Sequence, residues 1–334
     1  MLLVLFIAGC SKSPKVQFEY FGLALGTSFS VKVSRLPAGI DLEKLKSQLE
    51  ARLEEVDRKM STYLVDSELS RFNRSTGTDW QAVSPDLAKV VGAALEVSRW
   101  SDGAFDVTVG PLVNLWGFGP DPRRDQAPSD EDIEAAKARV GYENLKVRLD
   151  PPAVRKHRPD LYIDLSAIAK GFAVDLLGEH LESLGIKDYL VEIGGELRLK
   201  GNGPRGRGWR IAIEKPVPQE RQIEKILTLT EIAVATSGDY RNYFEMGGKR
   251  FSHTIDPRTG RPIEHRLASV TVLCHTTMQA DALATALMVL GPDAGFAKAE
   301  KDKIPALFIV KEDDGRFREK PTTAFLQQIR GGAS

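Results

Sequence analysis

Cysteine is nearly absent from this chain. Cys10 and Cys274 are the two among 334 residues, and Cys10 sits in the apolar start, so no intrachain disulfide is expected to hold the fold. Excess charge is missing too: 46 lysines and arginines balance 46 aspartates and glutamates, and no basic run appears. That excludes the usual footprint of a nucleic-acid-binding protein. Long hydrophobic runs are also lacking, because the apolar stretch Leu2 to Ile7 is too short to span a bilayer. No internal repeat or low-complexity segment interrupts the rest of the chain. The remaining composition is that of a folded globular protein long enough for one large α/β domain or two closely packed lobes.

The short apolar start ends in Ile7-Ala8-Gly9-Cys10, small residues placed before a cysteine. This is an export signal in form and resembles a bacterial lipoprotein lipobox. The resemblance implies acylation of Cys10, removal of residues 1–9, and a mature chain lipid-anchored to a membrane and facing the periplasm. Residues 1–20 are therefore expected to be signal and tether, and residues 21–334 the working domain.

Periodicity outlines the globular part. Phe18 to Val33 alternates as a first strand, and Leu42, Leu45, Leu49, Leu53 and Val56 recur at helical spacing within Asp41 to Met60. Ser84 and Pro85 open a second helix to Trp100, as N-cap and first helical residue. Ser129 to Val140 is a helix closed by Gly141. Leu145 to Leu149 and Asp160 to Leu165 are expected to pair as strands, the latter feeding a helix from about Lys170 to Leu184. Further strands are expected at Tyr189 to Ile193, continuing past a Gly194-Gly195 kink to Lys200, at Trp209 to Glu214, Ile226 to Ala235 and Leu267 to Cys274. Gln279 to Leu290 is an apolar helix ended by Gly291-Pro292. Several adjacent strands with helices between them argue for α+β lobes in one unit over a doubly wound parallel sheet.

Four stretches carry chemistry. Ser252-His-Thr-Ile-Asp-Pro-Arg-Thr-Gly-Arg-Pro262 joins a histidine to turn signals, and His253 can exchange a proton near neutral pH, with Asp256 able to orient it or simply shape the turn. Gly103 to Pro120 surrounds Phe105, Trp116 and Phe118 with glycine and proline, a shape that suits either a stacked planar ligand or an aromatic mini-core. Asp164-Leu-Ser-Ala-Ile-Ala-Lys-Gly171 joins a strand to a helix N-terminus, where free N–H groups suit phosphate. Asp281 and Thr285 lie four apart on one helix face, as oxygen ligands for Mg²⁺ or as a buried capping pair.

Together with Met60-Ser-Thr-Tyr, Asp66-Ser-Glu-Leu, Glu192-Ile-Gly-Gly-Glu196 and Thr236-Ser-Gly-Asp-Tyr, these stretches resemble, from about Gly22 to Gly295, the ApbE family of FAD:protein FMN transferases. The resemblance implies a mixed α+β fold of the T-fold-related type. It implies that FAD is split at its pyrophosphate, that FMN joins an acceptor threonine as a phosphoester, and that AMP leaves. It implies Mg²⁺ held by Asp281, Thr285 and the Ala167 carbonyl. Flavin contacts map to Leu25, Tyr63, Trp116, Gly117, Phe118, Asp164, Lys170, Ile255 and Ala284, and the catalytic base to His253 with Asp256 in support. Acceptors in such a family include subunits of membrane redox complexes. Two other classes share part of this pattern: a metal-dependent pyrophosphatase giving FMN and AMP, and a flavin-binding lipoprotein, which would need neither His253 nor the metal pair.

Overall fold

Eight strands that succeed one another along the chain are also neighbours in space. In a computed structural model describing residues 16–121, 126–216, 223–238, 243–246 and 249–331, the central sheet takes Phe18–Ala24, Thr27–Arg35, Asp188–Ile193, Glu196–Lys200, Glu231–Gly238, Leu267–Cys274, Ala306–Lys311 and Phe317–Pro321 in that order. Every pairing is antiparallel. The helices and the site-bearing loops are inserted between these strands.

Alternation along each strand divides the interior into two layers, because successive side chains point to opposite faces. Tyr189, Val191 and Ile193 join one buried cluster with Val270, Val272 and Phe308. The helices Leu42–Met60, Pro85–Trp100, Ala169–Ser183 and Thr277–Lys301 cover that face with Leu49, Val91, Leu177 and Leu287. Leu190, Leu199, Val234, Leu273 and Leu307 point the other way, to Trp209, Ile211, Leu227 and Phe325. The hairpin Trp209–Glu214 with Ile223–Leu229 and the helix Thr323–Gly331 supply those last residues. A small third cluster places Leu112, Trp116 and Ile133 against Ile255.

The helical expectations agree with the structure where the signals are local. Asp41 caps the first helix through its side chain, accepting from Glu43 N and Lys44 N, and Ser84 caps the second with Pro85 inside. Several strand expectations need correction. Phe18 to Val33 is a hairpin turning at Leu25-Gly26, both with positive φ. Gly194-Gly195 is likewise a full turn, since φ of +61° and +107° reverses the chain where a mere kink was expected. Ile226 to Ala235 divides between two strands, Ile223–Leu229 and Glu231–Gly238. Leu145–Leu149 pairs with Pro152–Lys156, and Asp160 to Leu165 forms no strand. There Asn73 satisfies the backbone of Ile163 on both sides, N–H to Oδ1 at 2.8 Å and Nδ2 to carbonyl at 2.8 Å. The last long helix runs on past Gly291, whose φ of +83° breaks it sharply, to Lys301. Cys10 and the 1–15 start lie outside the described residues, as do Asp239 and Tyr240.

Candidate active site

A cavity of about 1870 Å³ opens where the inserted loops meet the sheet. Its wall takes Phe105, Asp106, Val107, Val109 and Gly117 to Gly119 from the aromatic loop, Asp164, Ser166, Ala167 and Lys170 from the turn into the Ala169–Ser183 helix, and Gly194 to Leu197 from the glycine turn. His253 to Ile255, Asp281 and Thr285 complete it. Single-ligand pockets run to about 1,000 Å³, so there is room for a dinucleotide and more.

The deepest chemistry is a buried charge cluster. Lys170 comes from the first turn of its helix, Glu196 from the strand after the glycine turn, and Asp281 from the Thr277–Lys301 helix. Lys170 Nζ lies 3.3 Å from Glu196 Oε1 and 3.8 Å from Asp281 Oδ2. Ile168 gives that helix no side-chain cap, and the free Gly171 N–H donates instead to Asp281 Oδ2 at 3.0 Å. Burial, together with the neighbouring Asp281 carboxylate, pushes Glu196 above the usual carboxylate range although Lys170 pulls the other way. Burial also raises Asp281. For Lys170 burial opposes the charged form, but Asp281 and Glu196 outweigh it and hold the ammonium above its ordinary value. Glu196 Oε2 is buried without a hydrogen-bond partner among the described residues.

Such a donor set fits a hard divalent cation. Asp281, Thr285 and Ala167 line one cavity, Ser237 Oγ lies 3.1 Å from Thr285 Oγ1, and Glu196, which shares Lys170 with Asp281, has an orphaned carboxylate oxygen. A cation here would meet charge that a single lysine only partly balances.

The aromatic loop is pinned from beneath. Asp106 accepts from Thr108 N and Oγ1, both at 2.7 Å, and from Tyr142 N at 3.0 Å. Burial nevertheless raises its carboxyl to about 6. Asp164 donates its N–H to Val107 O at 2.7 Å and turns its carboxylate onto the N–H and hydroxyl of Ser166. Tyr63, with 64% of its surface exposed, donates to the Phe118 carbonyl at 3.3 Å. The His253 ring stands 6.4 Å from that of Phe118 in an edge arrangement, with Ser252 Oγ accepting from Thr254 N at 3.2 Å to hold the loop.

The structure therefore brings Tyr63, Gly117, Phe118, Asp164, Lys170, His253, Ile255, Ala167, Asp281 and Thr285 onto one cavity. It sets four other expected site residues apart. Trp116 is buried, packs against Phe251, and donates Nε1 to the Gly260 carbonyl at 2.8 Å, so it joins the aromatic loop to the histidine loop. Leu25 is a turn residue packed on the main core, and Ala284 is fully buried in it. Asp256 closes its own turn: Arg258 grips both carboxylate oxygens at 2.9 and 2.8 Å, and the Asp256 carbonyl accepts from Gly260 N at 2.8 Å. Sequence reasoning assigned no site role to Asp106, to Glu196, although it ends one of the motifs, or to Asp175. Asp175 is buried and accepts from Thr277 N and Met278 N, both at 2.9 Å, fixing the start of the helix that carries Asp281. The available signal was a lone carboxylate within an apolar run, as in Phe105-Asp106-Val107 and Val174-Asp175-Leu176.

Comparison with known proteins places this geometry. A sequence profile described as the ApbE family matches residues 25–308. The FAD:protein FMN transferase of Vibrio cholerae serotype O1 is 49% identical over 322 residues, covering 96% of this chain and 95% of the relative. That of Haemophilus influenzae is 46% identical, covering 97% and 94%. Among solved structures, the flavin transferase ApbE from Vibrio cholerae superposes with a TM-score of 0.86 at 48% identity, over 93% of this chain and 98% of that one. The apo form of the Pseudomonas stutzeri flavinyl transferase ApbE gives 0.85 at 45% identity, over 94% and 97%.

Proposed function

The chain belongs to the ApbE family, and from that premise we propose that it takes FAD as substrate and transfers the FMN half to an acceptor protein. It is a transferase enzyme with a single-domain α+β fold. The observation that carries this reading is the meeting, on one cavity wall, of an aromatic rim, a proton-exchanging histidine and a cluster of hard oxygen donors.

In this reading the isoalloxazine lies against Tyr63 and Phe118, and the phosphates approach Lys170. Asp281, Thr285 and the Ala167 carbonyl would hold Mg²⁺, which would supply offsetting positive charge for the pyrophosphate. The acceptor nucleophile is a threonine hydroxyl, too weakly acidic to attack alone at neutral pH. His253 takes its proton, a contribution of roughly 10² to 10⁴-fold. The threonine oxygen bonds to the FMN phosphorus, the bridging P–O bond breaks, and AMP leaves with the electron pair. Arg258 donates to both oxygens of the Asp256 carboxylate, which gives Asp256 a role in its turn, and the Phe118 ring stands in an edge arrangement beside the His253 ring. The lipobox-like Ile7-Ala-Gly-Cys10 supports a chain anchored through Cys10 and facing the periplasm, where acceptor subunits of membrane redox complexes would be met.

Incubation with FAD, Mg²⁺ and a threonine-bearing acceptor protein, read by intact mass, tests the reaction. The acceptor should gain one FMN and AMP should appear in equal amount. FMN and AMP with an unchanged acceptor would replace transfer with hydrolysis. In His253→Asn, FAD binding should persist while transfer falls by at least about a hundredfold.

A further inference from the structure

The proposed flavin contacts occupy one part of the cavity, and its remainder is unlike them. Away from Tyr63, Phe118 and Lys170 the wall becomes the segment Gly203 to Glu214, and the floor becomes Ser30, Lys32 and Glu192 on the sheet. Arg205, Arg207 and Arg210 stand on this wall, all exposed, and their side chains form no ion pair with a described residue. Some arginines elsewhere pair with carboxylates, Arg35 with Asp188, Arg198 with Asp175 and Glu182, Arg261 with Asp130, while Arg71, Arg74 and Arg148 donate to backbone carbonyls. On the floor Lys32 pairs with Glu19 at 2.9 Å, and Glu192 accepts from the neutral donors Ser30 Oγ and Gly195 N. The wall is thus a local excess of positive charge in a chain whose net charge is zero.

The floor runs on into apolar surface. Phe21 lies directly opposite Ser30 and Leu23 opposite Ser28 in the first sheet pair, so both share the face of Ser30. They are 59% and 86% exposed on the strand that ends the sheet.

We propose that this region is the docking groove for an acidic, extended segment of the acceptor protein. Its carboxylates meet Arg205, Arg207 and Arg210, its apolar side chains rest on Phe21 and Leu23, and its threonine reaches the His253 end of the same cavity. The inference rests on the transferase reading. Charge complementarity of this kind steers association and fixes register, and it weakens with salt.

The probe is a fluorescent peptide carrying one threonine, one leucine and several aspartates and glutamates, titrated with the full chain and followed by anisotropy. Wild type should bind it, and R205E/R207E/R210E should weaken binding at least about tenfold at low salt. Raising the salt should close the gap between the two. FAD affinity and melting temperature should match wild type, and the neutral R205Q/R207Q/R210Q should fall between. Equal affinity in wild type and both variants overturns the groove, as does equal binding of a peptide with lysines in place of its acids. A variant that keeps its melting temperature but loses FAD affinity would assign the arginines to the FAD phosphates instead. Because binding is read without turnover, a chain that binds the peptide but never transfers FMN keeps the groove and sinks the transferase reading.

Discussion

Lys170 and Glu196 face each other at 3.3 Å across the cavity floor, and the same ammonium stands 3.8 Å from Asp281. One cation therefore serves two buried carboxylates. Removing one partner of a buried pair leaves uncompensated charge, at a cost of about 3–5 kcal/mol. Lys170→Met should lower unfolding stability in EDTA by an amount in that range. Millimolar Mg²⁺ should restore more stability to the variant than it adds to wild type. Equal denaturation midpoints in EDTA would show that the cluster is not held by Lys170.

Gly171 sits where two helices touch. A Cβ there would come within 2.4 Å of the Thr277 carbonyl oxygen and 2.8 Å of Met278 Cα, both backbone. Helix propensity alone predicts that Gly171→Ala is stabilising by about 1 kcal/mol. The contact predicts a loss of about 1–3 kcal/mol, together with weaker divalent-ion binding, because the Gly171 N–H holds Asp281. Chemical denaturation decides between the two signs.

Asp106 gives stability a pH dependence. Its carboxyl is raised to about 6 by burial, so the folded chain holds that proton more tightly than the unfolded one. The cost of keeping Asp106 ionised is present in full above pH 6 and fades as the pH falls toward about 4. Measured against Asp106→Asn, wild-type stability should rise on going from pH 7 to pH 5 by on the order of 1 kcal/mol. A flat difference across that range would place the titration elsewhere.

Trp116 should behave as a tie between loops. Trp116→Phe keeps an aromatic ring against Phe251 but leaves the Gly260 carbonyl without its 2.8 Å donor. A stability loss of about 1–3 kcal/mol is expected, with FAD affinity close to wild type. A variant that keeps its stability and loses FAD instead would return the indole to the flavin.

These cases show where the sequence is readable. Leu42, Leu45, Leu49 and Leu53 announce their helix because the pattern is local, and Ser84-Pro85 marks a helix start by chemistry that needs no distant partner. Phe18 to Val33 hid its turn because Leu25, a residue seldom found at positive φ, occupies it. Leu161 to Ile163 looks like a strand but is claimed by Asn73, ninety residues earlier. The site was legible as a set of motifs, whereas the direction each side chain faces was not. Trp116 and Phe118 are two residues apart, yet one is buried under Gly260 and the other lines the cavity. Asp256 was equally suited in sequence to His253 and to its own turn, and the Arg258 side chain that reaches both its oxygens lies two residues further on in that turn.

The order of the central sheet carries a consequence for how the chain is made. The hairpin Phe18–Ala24 with Thr27–Arg35 can close as soon as it leaves the ribosome, because its two strands are separated by a two-residue turn. Its next neighbour, Asp188–Ile193, is synthesised only after the helices Leu42–Met60, Pro85–Trp100 and Ala169–Ser183 and the aromatic loop. Throughout that interval the hairpin has an open hydrogen-bonding edge, Thr27–Arg35, the kind of surface that recruits foreign strands. From Asp188 onward each new strand finds its partner already waiting, so the nascent chain is most exposed to misassembly during its first half.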